Sequence, residues 1–194
     1  MKPRNDVRFA PLVGLSWEDD QKCASLERVF NHAVEHASTV IDWYLAAKQS
    51  KKICAQGLRL GAIALSTLGG LFPVIADTIG VSAVWATVLL GLAGMCVAID
   101  RFFGCSSAWM RFITAEHNIR QRLNEFQISR EQLRASWHSA PPNDEDVQHA
   151  LALAKSLIVD VETIVLAETA QWRSEFQTAI KEIESNLKHV ASKQ

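Results

Sequence analysis

Charge is missing where the chain is most apolar. From Leu60 to Ile99 the only charged residue is Asp77, so forty consecutive residues are apolar or small but for one carboxylate. Such a block is either a buried pair of core helices or two membrane spans with a turn between them. Other scarcities narrow the class. Cys23, Cys54, Cys96 and Cys105 show no C-x-x-C spacing and no paired framework, which fits free thiols in a reducing compartment better than disulfides or zinc. No Gly-rich phosphate loop and no G-x-S-x-G elbow occurs, and nothing argues for an enzyme or a cofactor. A net charge of -1 gives no global sign of a nucleic acid or an acidic substrate. The opening "MKPRNDVRFAPLVGLSWEDD" lacks the apolar stretch of a cleaved signal, so membrane insertion is expected from the internal block.

A helix rises about 1.5 Å per residue and the hydrocarbon core is about 30 Å thick, so a span takes roughly 17 to 25 apolar residues. The block therefore divides into spans at 58–76 and 83–99, with an external turn at 77–82 that keeps Asp77 in water. Pro73 and Gly80 favour ending and restarting the helix there. Lys48, Lys51 and Lys52 precede the first span, Arg59 lies close enough to its end to snorkel, Arg101, Arg111, Arg120 and Arg122 follow the second, and the turn has no Lys or Arg. The positive-inside rule then places both termini in the cytoplasm, with Trp85 in the outer interfacial belt. The near-zero mean hydropathy hides this pattern by averaging the block with two polar arms. A soluble bundle with the central helices buried by the arms is the competing reading, and the block's length and flanking charge asymmetry argue against it.

After a tail at 1–15, a cytoplasmic helix is expected over 16–57, N-capped by Ser16 ahead of "WEDD" and continuous with the first span. Its stripe is Leu26, Val29, Phe30, Ala33, Ala37, Val40, Ile41, Tyr44 and Leu45. The cytoplasmic region 100–194 starts as a continuation of the second span, bent at Gly104, with Trp109, Phe112, Ile119, Leu123, Phe126, Leu133 and Trp137 on its apolar side. "HSAPPNDED" stops that helix and caps the next at Asn143. The last helix carries Val147, Leu151, Ala154, Ile158, Val161 and Val165, then Trp172, Phe176, Ile183, Leu187 and Val190. Its four-and-three spacing makes a coiled-coil-like seam that can close within one chain or between chains. The fold class is an all-α membrane protein, a two-transmembrane hairpin with long cytoplasmic helical extensions forming a bundle.

"HAVEH", His32 to His36 with Glu35, matches the literal H-x-x-E-H of inverted zinc peptidases, but no third protein ligand is evident, so a polar helix face is the reading and no metal is expected. Ala62, Ser66 and Gly70 recur at intervals of four, as do Ala83, Thr87 and Gly91, and such stripes permit close helix contact in lipid and hence oligomers. Ser66, Thr67 and Thr87 either line a pore or satisfy helical carbonyls. Pro73 cannot donate to the Gly69 carbonyl, leaving a hinge or a frayed span end, and Gly70 and Pro73 join the pore-lining or gating candidates. The membrane-proximal bases read as topology signals and contacts to anionic lipid. Farther along, Arg120, Arg122, Arg130 and Arg134 recur at helical spacings, and symmetry would repeat them into a phosphate-attracting ring.

"IDWYLAAKQSKK", a span closing on "LGGLFPVI", a second running into "AIDRFFGCSSAWMRF", and "EHNIRQRLNEF" resemble the SLATT family of bacterial two-transmembrane defence effectors, from about Trp17 to the "ETAQW" ending at Trp172. The last helix resembles that of members paired with nucleotidyltransferases, including Hailong-type anti-phage systems. The resemblance implies a channel or pore of the bacterial inner membrane. It would be controlled by a nucleotide or oligonucleotide made by a nucleotidyltransferase partner, and Arg120, Arg122, Arg130 and Arg134 are the candidate ligand surface. A homo-oligomer follows, with a tetramer favoured and membrane lipids as further partners. A non-conducting membrane scaffold that recruits a cytosolic partner is the alternative.

Overall fold

The computed structural model describes residues 11–137 and 142–191, which contain four helices and no strand: α1 (Lys22–Ile79), α2 (Val84–Phe103), α3 (Cys105–Ser136) and α4 (Asp144–Ala191). The chain divides into two compact units, Met1–Ala46 with Ile113–Glu168, and Ala47–Phe112 with Thr169–Gln194. Helix α1 is continuous for 58 residues, as its unbroken stripe leads one to expect.

Its start differs from expectation. Ser16 does not cap a helix: its N–H donates to Ser25 Oγ at 2.9 Å and its carbonyl accepts from the same hydroxyl at 2.6 Å. The backbone turns at 18–21, where Glu18 O accepts from Gln21 N at 2.8 Å and Lys22 N at 3.0 Å. Ser16 is thus spent tying the entering segment to α1, and the helix begins at Lys22. The far end differs too. Helical backbone runs through Asp77 to Ile79 rather than stopping at Ala76, and the turn occupies 80–83. The left-handed Gly80 and a Val81 N–H bonded to Ala76 O at 3.1 Å close the helix as a Schellman cap. Of the two expected signals, Gly80 sets the stop and Pro73 does not. The Asp77 side chain, the 138–141 segment of the expected helix stop, and the side chains of Ile183, Leu187 and Val190 lie outside the described residues.

In the first unit, three amphipathic stretches form one bundle. Leu26, Phe30, Ala33, Ala37, Val40 and Tyr44 of α1 alternate four and three apart and are all buried. Val147, Ala150, Ala154, Leu157 and Val161 of α4 do the same, and α3 adds Ala115, Ile119 and Phe126. This is heptad packing closed within a single chain. On α4 the buried line passes through Ala150 and Leu157, while Leu151 and Ile158 are half-buried. Phe30 and Phe126 meet edge to face with centroids 5.8 Å apart. The expected cap at Asn143 is present and reciprocal: Asp146 N–H donates to Asn143 Oδ1 at 2.9 Å and Asn143 N–H to Asp146 Oδ2 at 3.0 Å.

The second unit holds the hairpin. Its buried positions are small and fall at seven-residue intervals: Gly69 and Ala76 on α1, Ala86 and Ala93 on α2. Nearly every large apolar side chain around them is turned outward, among them Leu60, Ile63, Leu68, Val74, Val84, Trp85, Met95 and Val97. Of the apolar windows long enough to cross a membrane, 6% is buried in one and 11% in the other. A core helix pair of a soluble bundle would bury most of such a window, so this packing is that of a pair whose solvent is lipid.

Candidate functional site

Among the glycines of the hairpin, the tightest surroundings are at Gly69. A Cβ there would lie 3.0 Å from Leu90 Cγ, 3.2 Å from the Ala86 carbonyl oxygen and 3.2 Å from Leu89 Cβ, so any larger residue would press α2 outward by a few tenths of an ångström. Gly70 and Gly91, by contrast, have open space where a side chain would be. The i, i+4 stripes therefore do not form the contact within the hairpin. Ser66, Thr67, Gly70, Pro73 and Thr87 all lie on exposed surface. Ser66 Oγ donates to Ile63 O at 3.0 Å and Thr67 Oγ1 to the same carbonyl at 2.8 Å, so both hydroxyl protons are spent on the helix backbone. Pro73 is inside α1 and does not end it.

At the Asp100 end of the hairpin, residues of "DRFFGCSS" and Trp172 of "ETAQW" come together in one cluster. Gly104 takes φ +57°, a left-handed position that suits glycine and separates α2 from α3. Asp100 holds the bend: Oδ1 accepts from Ser106 N–H at 3.1 Å and Oδ2 from Ser106 Oγ at 2.6 Å, satisfying an orphan donor of the new helix. Arg59, at the end of the first span, reaches the same carboxylate at 3.9 Å. The C-terminal part of α4 supplies two further acids. Glu182 pairs with Arg101 at 2.6 Å, and Glu175 pairs with the buried Arg111, which also donates to Ser107 Oγ at 3.3 Å. Trp172 stacks on Phe176 at 5.7 Å, and Phe176 meets Phe102 at 6.4 Å. Glu175, Glu182 and the capping role of Asp100 were not among the expected site residues. The Asp-x-x-x-Gly-x-Ser spacing at a span end is the signal that points to the cap, while no local signal pairs α4 acids with these arginines.

The four candidate ligand arginines belong to the first unit and do not form one bare face. At about 100° per residue, Arg122 lies roughly 200° around α3 from Arg120. Arg120 pairs with the buried Glu116. Arg122 reaches Glu125 at 3.0 Å and Asp160 of α4 at 3.7 Å. Gln121's amide, then Arg122's guanidinium, hold the Glu125 carboxyl below its ordinary range. Arg130 and Arg134 converge on Glu27 of α1 at 3.0 and 3.1 Å, and Arg134 also reaches Glu131 at 3.3 Å. The Arg130 guanidinium lies 5.6 Å above the Phe30 ring, a cation–π contact in a largely desolvated place. An arriving phosphate would compete with carboxylates already in place.

"HAVEH" is part of the bundle. His36 is buried, with Nε2 3.2 Å from Glu162, and no cluster of three metal-ligating side chains occurs among the described residues. Burial, with a smaller push from His32, holds His36 below the ordinary imidazole pKa despite Glu162.

A family model described as SMODS and SLOG-associating 2TM effector domain 2 matches residues 10–193. No curated protein and no solved structure matches the chain.

Proposed function

Because the chain belongs to the family of SMODS and SLOG-associating two-transmembrane effectors, we propose that it is a membrane effector of bacterial anti-phage defence that assembles into a homo-oligomeric ion channel. The family is associated with nucleotide-signalling defence systems and with nucleotidyltransferase partners. In this reading a nucleotide or oligonucleotide made by such a partner controls conduction in the inner membrane, and both termini are cytoplasmic.

The observation that carries the reading is the outward placement of the hairpin's apolar side chains around an inner seam of small residues. Within one chain the seam is filled, which leaves no pore inside a single hairpin. Conduction then requires several copies, and the exposed faces bearing Ser66, Gly70, Thr87 and Gly91 are free of intrachain packing and small enough for close helix contact. The bases flanking the spans and absent from the turn support the orientation. A ligand controls such a channel only by binding its closed and open states unequally.

Reconstitution into potassium-loaded vesicles with a potential-sensitive dye tests this. The expected result is collapse of an imposed potential in one ligand state and retention in the other. A potential that persists with and without the partner's nucleotide product, while the protein is inserted, overturns the channel and favours a scaffold that recruits a cytosolic partner.

A further inference from the structure

At the end of the hairpin away from the Gly80 turn, α1 and α2 leave an open groove of about 320 Å³ between them. Arg59, Ala62 and Ile63 line it from α1 at positions i, i+3 and i+4, and Cys96, Val97 and Asp100 from α2 at i, i+1 and i+4, so each helix gives it one face. Ala62 and Cys96 are half-buried, and Ile63 and Val97 beside them are exposed. Because the helices run in opposite directions, the two charged residues share the outer end of the groove and the apolar ones lead from it toward the turn. The volume is at the lower end of the roughly 300 to 1,000 Å³ of ligand pockets, room for part of an acyl chain with its headgroup outside. We infer that this groove is a binding site for one phosphatidylethanolamine molecule, its chain along Ala62, Ile63, Cys96 and Val97, its phosphate on Arg59 and its ammonium on Asp100.

The charges select the headgroup. Arg59 Nε is 3.9 Å from Asp100 Oδ2, long for an ion pair, and the Arg59 side chain is 64% exposed, so guanidinium N–H groups remain to donate to a phosphate. Asp100 is only 18% exposed, and each of its oxygens accepts one hydrogen bond from Ser106. A carboxylate oxygen has a second lone pair, which an ammonium N–H can take. As a unit the pair is neutral, which separates this groove from the basic pockets that hold anionic lipid. Phosphatidylglycerol offers Asp100 no cation, and phosphatidylcholine offers one without an N–H. Of the three, the ethanolamine headgroup alone supplies an anion for Arg59 and a donating cation for Asp100. The site rests on the hairpin lying in lipid and not on conduction.

Cys96 in the groove is a reporter, and the exposed Cys23 is its control. The full-length protein is placed in nanodiscs of phosphatidylcholine alone or mixed with phosphatidylethanolamine or phosphatidylglycerol, and alkylation by N-ethylmaleimide is followed by peptide mass spectrometry. Cys96 should react several-fold more slowly with phosphatidylethanolamine present than in either other disc, while Cys23 keeps one rate throughout. Asp100→Asn, whose amide oxygen can still accept from the Ser106 N–H, should remove that difference, and so should Arg59→Gln. Equal Cys96 rates in the three lipids overturn headgroup recognition. Protection that appears only in discs holding several copies, whatever the lipid, puts a second chain in the groove and overturns the lipid site. The readout needs no ion flux, so failure of the lipid site and failure of the channel are told apart.

Discussion

At Gly69 the two hairpin helices approach to where a side chain would stand, while one residue later, at Gly70, the surroundings are open. The neighbours therefore separate two kinds of contact. Gly69→Leu should splay α1 from α2, an overpacking cost of about 1 to 3 kcal/mol, seen as a lower denaturation midpoint in micelles. Gly70→Leu should leave that midpoint alone and, if the outer face joins copies, reduce crosslinked oligomers. Equal effects of both changes on the midpoint would show that the seam is not where the geometry puts it. His36 gives a pH response at the same scale. The folded state favours its neutral form, so below the unfolded value of 6.5 the folded state binds fewer protons than the unfolded chain. Its contribution to stability is thus complete above pH 6.5 and is lost as the pH falls from there through the lower folded value. Melting temperature should drop on acidification below that point, and His36→Gln should flatten the slope.

Among the elements, α4 depends most visibly on its first turn. Asn143 and Asp146 each satisfy an N–H of the other, and Asp144, Glu145 and Asp146 face the positive end of the helix dipole. Asn143→Ala should cost about 1 kcal/mol, and Phe30→Ala, which empties a fully buried site between α1 and α3, about 3 to 5 kcal/mol. Chemical denaturation of the full chain, followed at the tryptophans, measures both. A larger loss from the cap than from the core would contradict the packing described. Legibility differs among elements for physical reasons. The heptad spacing of α1 and the Asx cap of α4 are local, so they can be read along the chain. The start of α1 cannot, because Ser16 has a partner nine residues away in Ser25 that competes for its hydrogen bonds. Of the two stop signals near the end of α1, Pro73 is passed over because a missing N–H within a long helix costs one bond, whereas Gly80 supplies a complete cap.

For the whole molecule, the proposed control of conduction by a ligand is the property to test, and the pairing of the arginines sets the terms. Arg130→Glu alone places a carboxylate opposite Glu27, so loss of function could reflect a damaged bundle. The exchange Arg130→Glu with Glu27→Arg keeps opposite charges together while moving the cation from α3 to α1. The swapped protein should melt near the parent, yet bind the partner's nucleotide product more weakly and show altered toxicity, if Arg130 belongs to the ligand surface. Unchanged binding and toxicity would make Arg130 a bundle residue only. Orientation belongs to this scale as well: a cysteine at position 77 should react with an impermeant maleimide from outside the cell, and labelling only from the cytoplasmic side would reverse the topology.

The charge-free block, its division by a turn, the flanking bases and the helical stripes are all properties of neighbouring residues, and from them the sequence alone determines an all-helical protein with two membrane-length helices. Which small residues touch is different. Gly69 and Gly70 are equivalent in composition, and only the rotation of α1 against α2 decides that the first is packed and the second open. The same holds for the arginines, whose helical spacing suggests a bare basic face until Glu27 and Asp160 arrive from other helices to occupy it. Long-range partners bring charges within a few ångströms across dozens of residues, and at those separations no local periodicity encodes who meets whom. The tertiary structure alone decided that.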